Sequence, residues 1–187
     1  AFELDLAVLA AANAQFGNLE ATAAEGQRVE DDLLAGGNNA DEGIAGPFNL
    51  GFGFPLFSGA QAPGTYSQIY VSPNGFITFS PFAGDTANNT TLPNASSPSN
   101  LVALAWDDLD LSAGGKIYFA GDPLAGECTV QYDAVRFKGT ALTLTAQVVL
   151  RSTGDILCYY KALGRTNSCT VGLQNAARAQ GLQVTFN

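Results

Sequence analysis

The chain has 187 residues, of which 47% are apolar and only 13% are charged, and it contains 21 glycines and eight prolines. This length suits one domain with an appendage, and the many turn-forming residues predict a β protein and exclude a helical bundle. The net charge of −9 excludes nucleic acid as a partner, because phosphate binding needs a basic surface.

The acidic residues are concentrated at the N-terminus. The first 47 residues contain nine acidic residues and one basic residue, Arg28, whereas residues 48–187 contain eight acidic and seven basic residues. We therefore predict an acidic N-terminal arm at residues 1–47 and a β domain at residues 48–187.

The arm begins with a segment that alternates as a β-strand does. Its apolar positions are Phe2, Leu4, Leu6 and Val8. Glu3, Asp5 and Ala7 lie on the other face, and this period of two predicts a half-buried strand. Residues 18–34 are compatible with a short acidic helix, and Gly36-Gly37-Asn38-Asn39 forms a flexible joint before the domain.

The domain is a succession of short apolar runs separated by turns. Residues 67–80 predict a hairpin, because the Asn74-Gly75 pair favours the positive φ angles of a tight turn. The continuous apolar run at residues 101–106 predicts a buried strand. Further strands are predicted at 116–120, 128–137, 142–152, 155–163, 169–174 and 182–186. About eight or nine antiparallel strands predict an all-β fold, a β-sandwich or jelly roll, with the arm as an extension.

The order of several short motifs resembles a known family. The motifs are YVSPNGFITF (70–79), LAWDDL (104–109), GKIYF (115–119), GDI (154–156), TVGLQN (170–175) and GLQVTFN (181–187). They resemble a β-sandwich module of secreted and surface-anchored bacterial proteins and, more distantly, the nidogen-type extracellular domain. The resemblance covers residues 48–187 without the arm. It implies a sandwich fold and an extracellular location, and no particular activity.

Three carboxylates, those of Asp107, Asp108 and Asp110, follow the apolar run that ends at Trp106. Hard oxygen donors this close together can ligate Ca²⁺, which takes about six to eight oxygens, and calcium is the one cofactor that the sequence suggests. The spacing is not that of an EF-hand loop. The alternative, which we favour, is a strand end whose acids cap turns and face water.

No motif indicates catalysis. The chain contains no histidine, which excludes a Ser-His-Asp or Cys-His arrangement and most zinc hydrolase sites. Since no motif singles out a pair of carboxylates for glycoside hydrolysis, we predict a non-enzymatic protein. Trp106 and several tyrosines can stack on sugar rings, but Trp106 lies within an apolar run, which favours core packing.

The three cysteines include one candidate pair. Cys158 and Cys169 flank a turn between two predicted strands and are the candidate disulfide. Cys128 is then left for pairing between chains or for burial as a small apolar residue.

Several features bear on export. The chain contains no methionine and starts at Ala1, which we interpret as removal of an export signal, although an expression boundary would give the same start. No run of about 20 apolar residues is present, so we predict no membrane span and a secreted or cell-surface protein. Asn88, Asn89 and Asn94 each begin an Asn-x-Ser/Thr sequon in the polar loop 81–100 and are glycosylation candidates.

The arm supplies the functional hypothesis. An exposed edge of a β-sandwich accepts an added strand through backbone hydrogen bonds, and residues 2–8 have the pattern for this. The tether of about 35 residues behind them reaches a neighbour, and head-to-tail donation gives a filament. We therefore predict an extracellular structural subunit whose partner is itself. The alternatives are that the strand folds back onto its own domain, and that the protein is a monomeric adhesion module for a glycan or protein, with or without calcium.

Overall fold

The structure is a computed structural model that describes residues 40–57, 65–82 and 87–186 and the backbone of residues 27–28. These residues form twelve β-strands, and a single turn of 3-10 helix at Leu111–Ala113 follows the sixth of them. The strands are β1 (Gln27–Arg28), β2 (Ala45–Phe54), β3 (Tyr66–Ser72), β4 (Phe76–Thr78), β5 (Leu101–Trp106), β6 (Leu109–Asp110), β7 (Lys116–Asp122), β8 (Glu127–Phe137), β9 (Thr143–Arg151), β10 (Ile156–Leu163), β11 (Thr170–Gln174) and β12 (Gly181–Phe186).

The strands form two antiparallel sheets. Sheet I has the order β1-β7-β8-β9-β10, with β6 also paired to β8, and sheet II has the order β12-β11-β5-β4-β3-β2. The two sheets pack face to face, which confirms the predicted all-β sandwich. The strand number exceeds the predicted eight or nine partly because β1 and β6 have only two residues each, too few to show a period in the sequence.

The main core lies between the two sheets. Sheet II contributes apolar side chains such as Leu50 and Ile69, and sheet I contributes others such as Ile117 and Val148, all of them fully buried. Hydrogen bonds also join the layers within this core. The hydroxyl of Tyr132 in β8 donates to the carbonyls of Ser72 (2.7 Å) and Phe76 (3.1 Å) in sheet II. The buried phenol is therefore fully satisfied, as a polar group in an apolar core must be.

A second apolar cluster lies on the outer face of sheet II. Trp106 packs edge-on against Phe76 with 5.4 Å between ring centroids, and it is only 2% exposed. The loop after residue 86 docks on this face, because Gln174 of β11 donates from Nε2 to Ser97 Oγ (2.8 Å) and to Pro98 O (2.6 Å). Strands β4 and β5 are thus buried on both faces, and the prediction that Trp106 belongs to the core is confirmed.

Part of the arm belongs to sheet I. Gln27 and Arg28 pair with Phe119 and Tyr118 of β7, so the helix suggested for residues 18–34 is wrong at these two positions. The strand β2 begins at Ala45 and crosses the predicted boundary at residue 47. The predicted strand at residues 2–8 lies outside the described residues and stays a prediction.

The hairpin turn between β3 and β4 is buried, which is unusual for a turn. The carbonyl of Gly75 accepts hydrogen bonds from the backbone N–H groups of Leu104 and Ala105 of β5, each at 3.0 Å. Gly75 has φ +77°, and a Cβ at this position would overlap the carbonyl of Ala105. Glycine is therefore required at this position both for its backbone angle and for the close approach of β5.

We expect Gly75→Ala to lower the free energy of unfolding by about 3 kcal/mol or more, since left-handed strain adds to a clash with backbone that cannot move alone. Gly139→Ala is the matched control, because Gly139 also has a positive φ (+68°) but no atom lies within 4 Å of the point that a Cβ would occupy there. The control should lose only about 1 kcal/mol. Urea unfolding curves measure the free energy of unfolding of both variants. Equal losses would show that the clash with Ala105 does not destabilise the Gly75→Ala variant.

Candidate functional site

Three carboxylates and one lysine, Asp41, Glu42, Asp108 and Lys138, form what we call the acid–lysine cluster. The Lys138 Nζ lies 2.6 Å from Asp41 Oδ2, 3.8 Å from Glu42 Oε1 and 3.9 Å from Asp108 Oδ1. One oxygen of each carboxylate lies within 4.8 Å of the others. The hydrogen bond to Asp41, more than the attraction of the other acids, raises the pKa of Lys138. The ammonium group thus lies where a bound cation would be attracted.

Separate segments of the chain build this cluster. Asp41 and Glu42 precede β2, Asp108 follows β5, and Lys138 follows β8. The Lys138 backbone N–H donates to the Asp108 carbonyl at 2.9 Å. Asn74 of the buried turn donates from Nδ2 to Glu42 Oε2, also at 2.9 Å. The end of the acidic arm is therefore fastened to the domain by both a charged and a neutral side chain.

The structure does not bring the three carboxylates of the predicted calcium site together. Asp107 is 5% exposed, and it accepts hydrogen bonds from the Asp108 backbone N–H at 2.8 Å and from the Ser168 hydroxyl. Asp110 caps the 3-10 turn by accepting from the backbone N–H groups of Ser112 and Ala113. Only Asp108 lies in the acid–lysine cluster, with Asp41 and Glu42, which no pattern in the sequence had indicated.

The three cysteines are free thiols, so the predicted Cys158–Cys169 disulfide is not formed in the structure. The two strands that these cysteines flank are not neighbours in one sheet, since β10 lies in sheet I and β11 in sheet II. The Cys158 thiol instead shares a hydrogen bond with Tyr160, whose hydroxyl donates to the Leu104 carbonyl at 2.5 Å. Burial raises the pKa of Cys158 and that of Cys128 to about 12.

The three sequons differ in their surroundings. Asn89 donates from Nδ2 to Ser168 O (2.7 Å) and Thr170 Oγ1 (2.9 Å), so the nitrogen that a glycan would occupy already fastens the loop. Asn94 accepts from Ser96 and lies half-buried. Asn88 is exposed, and it is the sequon whose side chain is most accessible. Glycosylation of any of the three stays a prediction.

Comparison with protein families places most of this chain within one of them. A family model described as NIDO related matches residues 10–187. Curated proteins give no match, and solved structures give none either. The match begins at residue 10, so it includes most of the arm as well as the region in which the short motifs resemble the nidogen-type domain. Among the described residues, no helix is long and apolar enough to cross a membrane.

We expect Lys138→Gln to make the thermal midpoint respond to Ca²⁺. Without the ammonium group, three carboxylates face one another and attract a divalent cation. Millimolar Ca²⁺ should raise the midpoint of the variant by about 3 °C or more, and chelator should reverse the shift. Lys161→Gln, which removes an exposed lysine of β10, is the control and should show no shift. An equal calcium response in the unsubstituted protein would show that Lys138 does not exclude the ion.

We expect the Cys128 thiol to be unreactive in the folded protein. Its pKa of about 12 lies well above the ordinary 9.0, so the thiolate fraction near pH 8 falls about 1,000-fold below that of an unfolded thiol. Mass spectrometry after timed alkylation, with and without urea, measures the ratio of the alkylation rates of the unfolded and folded protein. Rapid alkylation without urea, or a reductant-sensitive dimer linked through Cys128, would contradict this expectation.

Proposed function

The chain belongs to the NIDO-related family, an extracellular type of domain, and on that basis we propose that it is a non-enzymatic structural subunit that self-assembles into a surface filament through its N-terminal strand. The observation that carries the proposal is the pairing of β1 with β7. A short piece of the arm there extends a sheet of the domain by backbone hydrogen bonds. The more strongly patterned segment at residues 2–8 has the side chains to do the same at a second edge.

The sandwich has edges that can accept a strand. Among the strands that the structure describes, the terminal ones are β1 and β10 in sheet I and β12 and β2 in sheet II. A terminal strand presents backbone N–H and C=O groups that pair with another strand if nothing protects them. A strand donated from one molecule to the next forms a heterologous contact, which repeats without closing and so builds a filament.

The alternative of a monomeric glycan-binding module has weaker support. Trp106, the one tryptophan and the strongest candidate for stacking on a sugar ring, is buried beneath the loop that covers sheet II. Calcium-dependent adhesion through Asp107, Asp108 and Asp110 has little support either, because these carboxylates have different hydrogen-bonding partners.

We expect deletion of residues 1–12 to abolish polymers while the domain stays folded. Negative-stain electron microscopy and sedimentation measure assembly, and circular dichroism with the thermal midpoint measures folding. A finer comparison replaces Leu4 and Leu6 with aspartate, which should abolish assembly because charged side chains would enter an apolar contact. The double variant Glu3→Gln with Asp5→Asn, which changes the opposite face of the strand, is the matched control and should preserve assembly. Polymers that persist after the deletion would reject this function.

A further inference from the structure

One corner of the sandwich is open. The strand β10 ends sheet I, and among the residues that the structure describes it pairs with β9 alone. The strand β12 ends sheet II beyond it. Between them lies a pocket of about 220 Å³ whose walls are mostly apolar. Its main lining residues are Leu56, Phe57, Ile156, Leu173 and Leu182. A cavity of about 150 Å³ already accepts benzene, so this pocket has room for a large apolar side chain.

The strand β12 carries exposed apolar side chains, and one of them, Leu182, lies at this corner. Of the five exposed large apolar side chains in the described ranges, three belong to this strand: Leu182 (44% exposed), Val184 (42%) and Phe186 (41%). Leu182 pairs with Leu173, which packs against the core, so Leu182 lies on the core side of sheet II. The register shifts along β12, and Phe186 pairs with Thr170 on the outer face, so only Leu182 bears on this corner. No described strand of sheet I lies opposite it. On the inner face of β12, Leu182 is therefore not covered by any strand of sheet I in the described part of the chain.

The opposite side of the sandwich is closed. There, β1 extends sheet I beyond β7, and β2 packs over β7, with the rings of Phe48 and Phe119 stacked at 5.0 Å. The arm therefore joins the domain at one end of sheet I, and the open corner lies at the other end. Four strand spacings of about 4.8 Å, roughly 19 Å in total, separate β1 from β10.

We propose that the open corner is the acceptor site for residues 2–8 of a second copy of this chain, an inference that rests on the proposed self-assembly. The donated strand adds to sheet I beside β10, antiparallel like every other pair in the structure. Its apolar face then lies over Leu182 and the pocket. Because the arm joins the domain at the far end of sheet I, each subunit donates its strand from one side and accepts a strand at the other. This is the geometry of a head-to-tail filament.

Side-chain direction limits the register to those that pair even-numbered residues of the two strands, and we propose the one that covers the whole edge. On β10, Ile156 lines the pocket and the Tyr160 hydroxyl reaches Leu104 of sheet II, so even-numbered residues of this run point inward. Placing Val8 opposite Ile156 sets Leu4 opposite Tyr160 and turns the whole apolar face of the donated strand inward.

The same register brings residues of opposite charge close together. It places Glu3 opposite Lys161, an exposed cation on β10, and Asp5 opposite Tyr159. The pairing of β10 with β9 shifts between Tyr160 and Ala162, so the regular edge is the run Ile156–Tyr160. A lysine at an irregular edge position discourages unspecific pairing, whereas a strand that carries an acid at that point is favoured.

Disulfide trapping in the full chain tests the register. The double variant Asp5→Cys with Tyr159→Cys places two thiols opposite each other on the outer face of sheet I, away from the core between the sheets. Mild oxidation should give a ladder of covalent oligomers on a non-reducing gel, with positions 5 and 159 linked in the peptide map. Leu4→Cys with Tyr159→Cys is the matched control, since those two side chains point to opposite faces, and it should give at least about tenfold less product.

Two results would overturn the inference. A link between positions 5 and 159 within one monomer would show that the strand docks on its own domain, and equal products from the two variants would show that β10 is not the acceptor. The native thiols contribute little background, because burial raises the pKa of Cys128 and Cys158 to about 12 and also raises the pKa of Cys169.

A second measurement separates the acceptor site from self-assembly itself. Leu182→Glu places a charge in the contact and should raise the concentration needed for assembly by about tenfold or more. Leu124→Glu, at a fully exposed leucine in the turn after β7, should leave the concentration needed for assembly unchanged. If deletion of residues 1–12 abolishes polymers but Leu182→Glu does not weaken them, the proposed self-assembly is supported and the proposed acceptor site is wrong. If native protein forms no polymers, the proposed function itself fails.

Discussion

The burial of the turn between β3 and β4 is the constraint on which much of the structure depends. A buried turn must find partners for its polar groups inside the protein. The carbonyl of Gly75 receives two N–H groups of β5, and Asn74 Oδ1 receives the Leu109 N–H at 2.7 Å. Tyr132 of sheet I donates to the carbonyls on either side of the turn. One short segment thus holds three strands and both sheets in register.

The same turn connects the domain to the acidic arm. Asn74 donates to Glu42, and Glu42 belongs to the acid–lysine cluster around Lys138. The cluster is half-exposed, so solvent weakens its ion pairs, and its main effect is to define where the arm meets the domain. The pairing of β1 with β7 is a second point at which the arm meets the domain.

The two sides of the sandwich differ, and this difference supports the assembly hypothesis. One side of sheet I is extended by β1 and packed under β2, whereas beside β10 the apolar Leu182 of β12 is exposed and no described strand of sheet I covers it. Exposed apolar area beside an unpaired sheet edge is unstable as a solvent-facing surface and is relieved when a strand is added. A domain with one closed and one open side has the polarity that a head-to-tail polymer needs.

Features that depend on neighbouring residues could be predicted from the sequence without the structure. Alternation and apolar runs predicted most of the strands, the Asn74-Gly75 pair predicted the hairpin, and the run around Trp106 predicted its burial, since period and turn chemistry are local. Which distant side chains meet depends instead on the tertiary structure. Lys138 and its acids converge because their strands end at one corner, and Leu182 of β12 is exposed because β10 is the last strand of sheet I among the described residues. No local pattern encodes the order of strands in a sheet, and that order sets both outcomes.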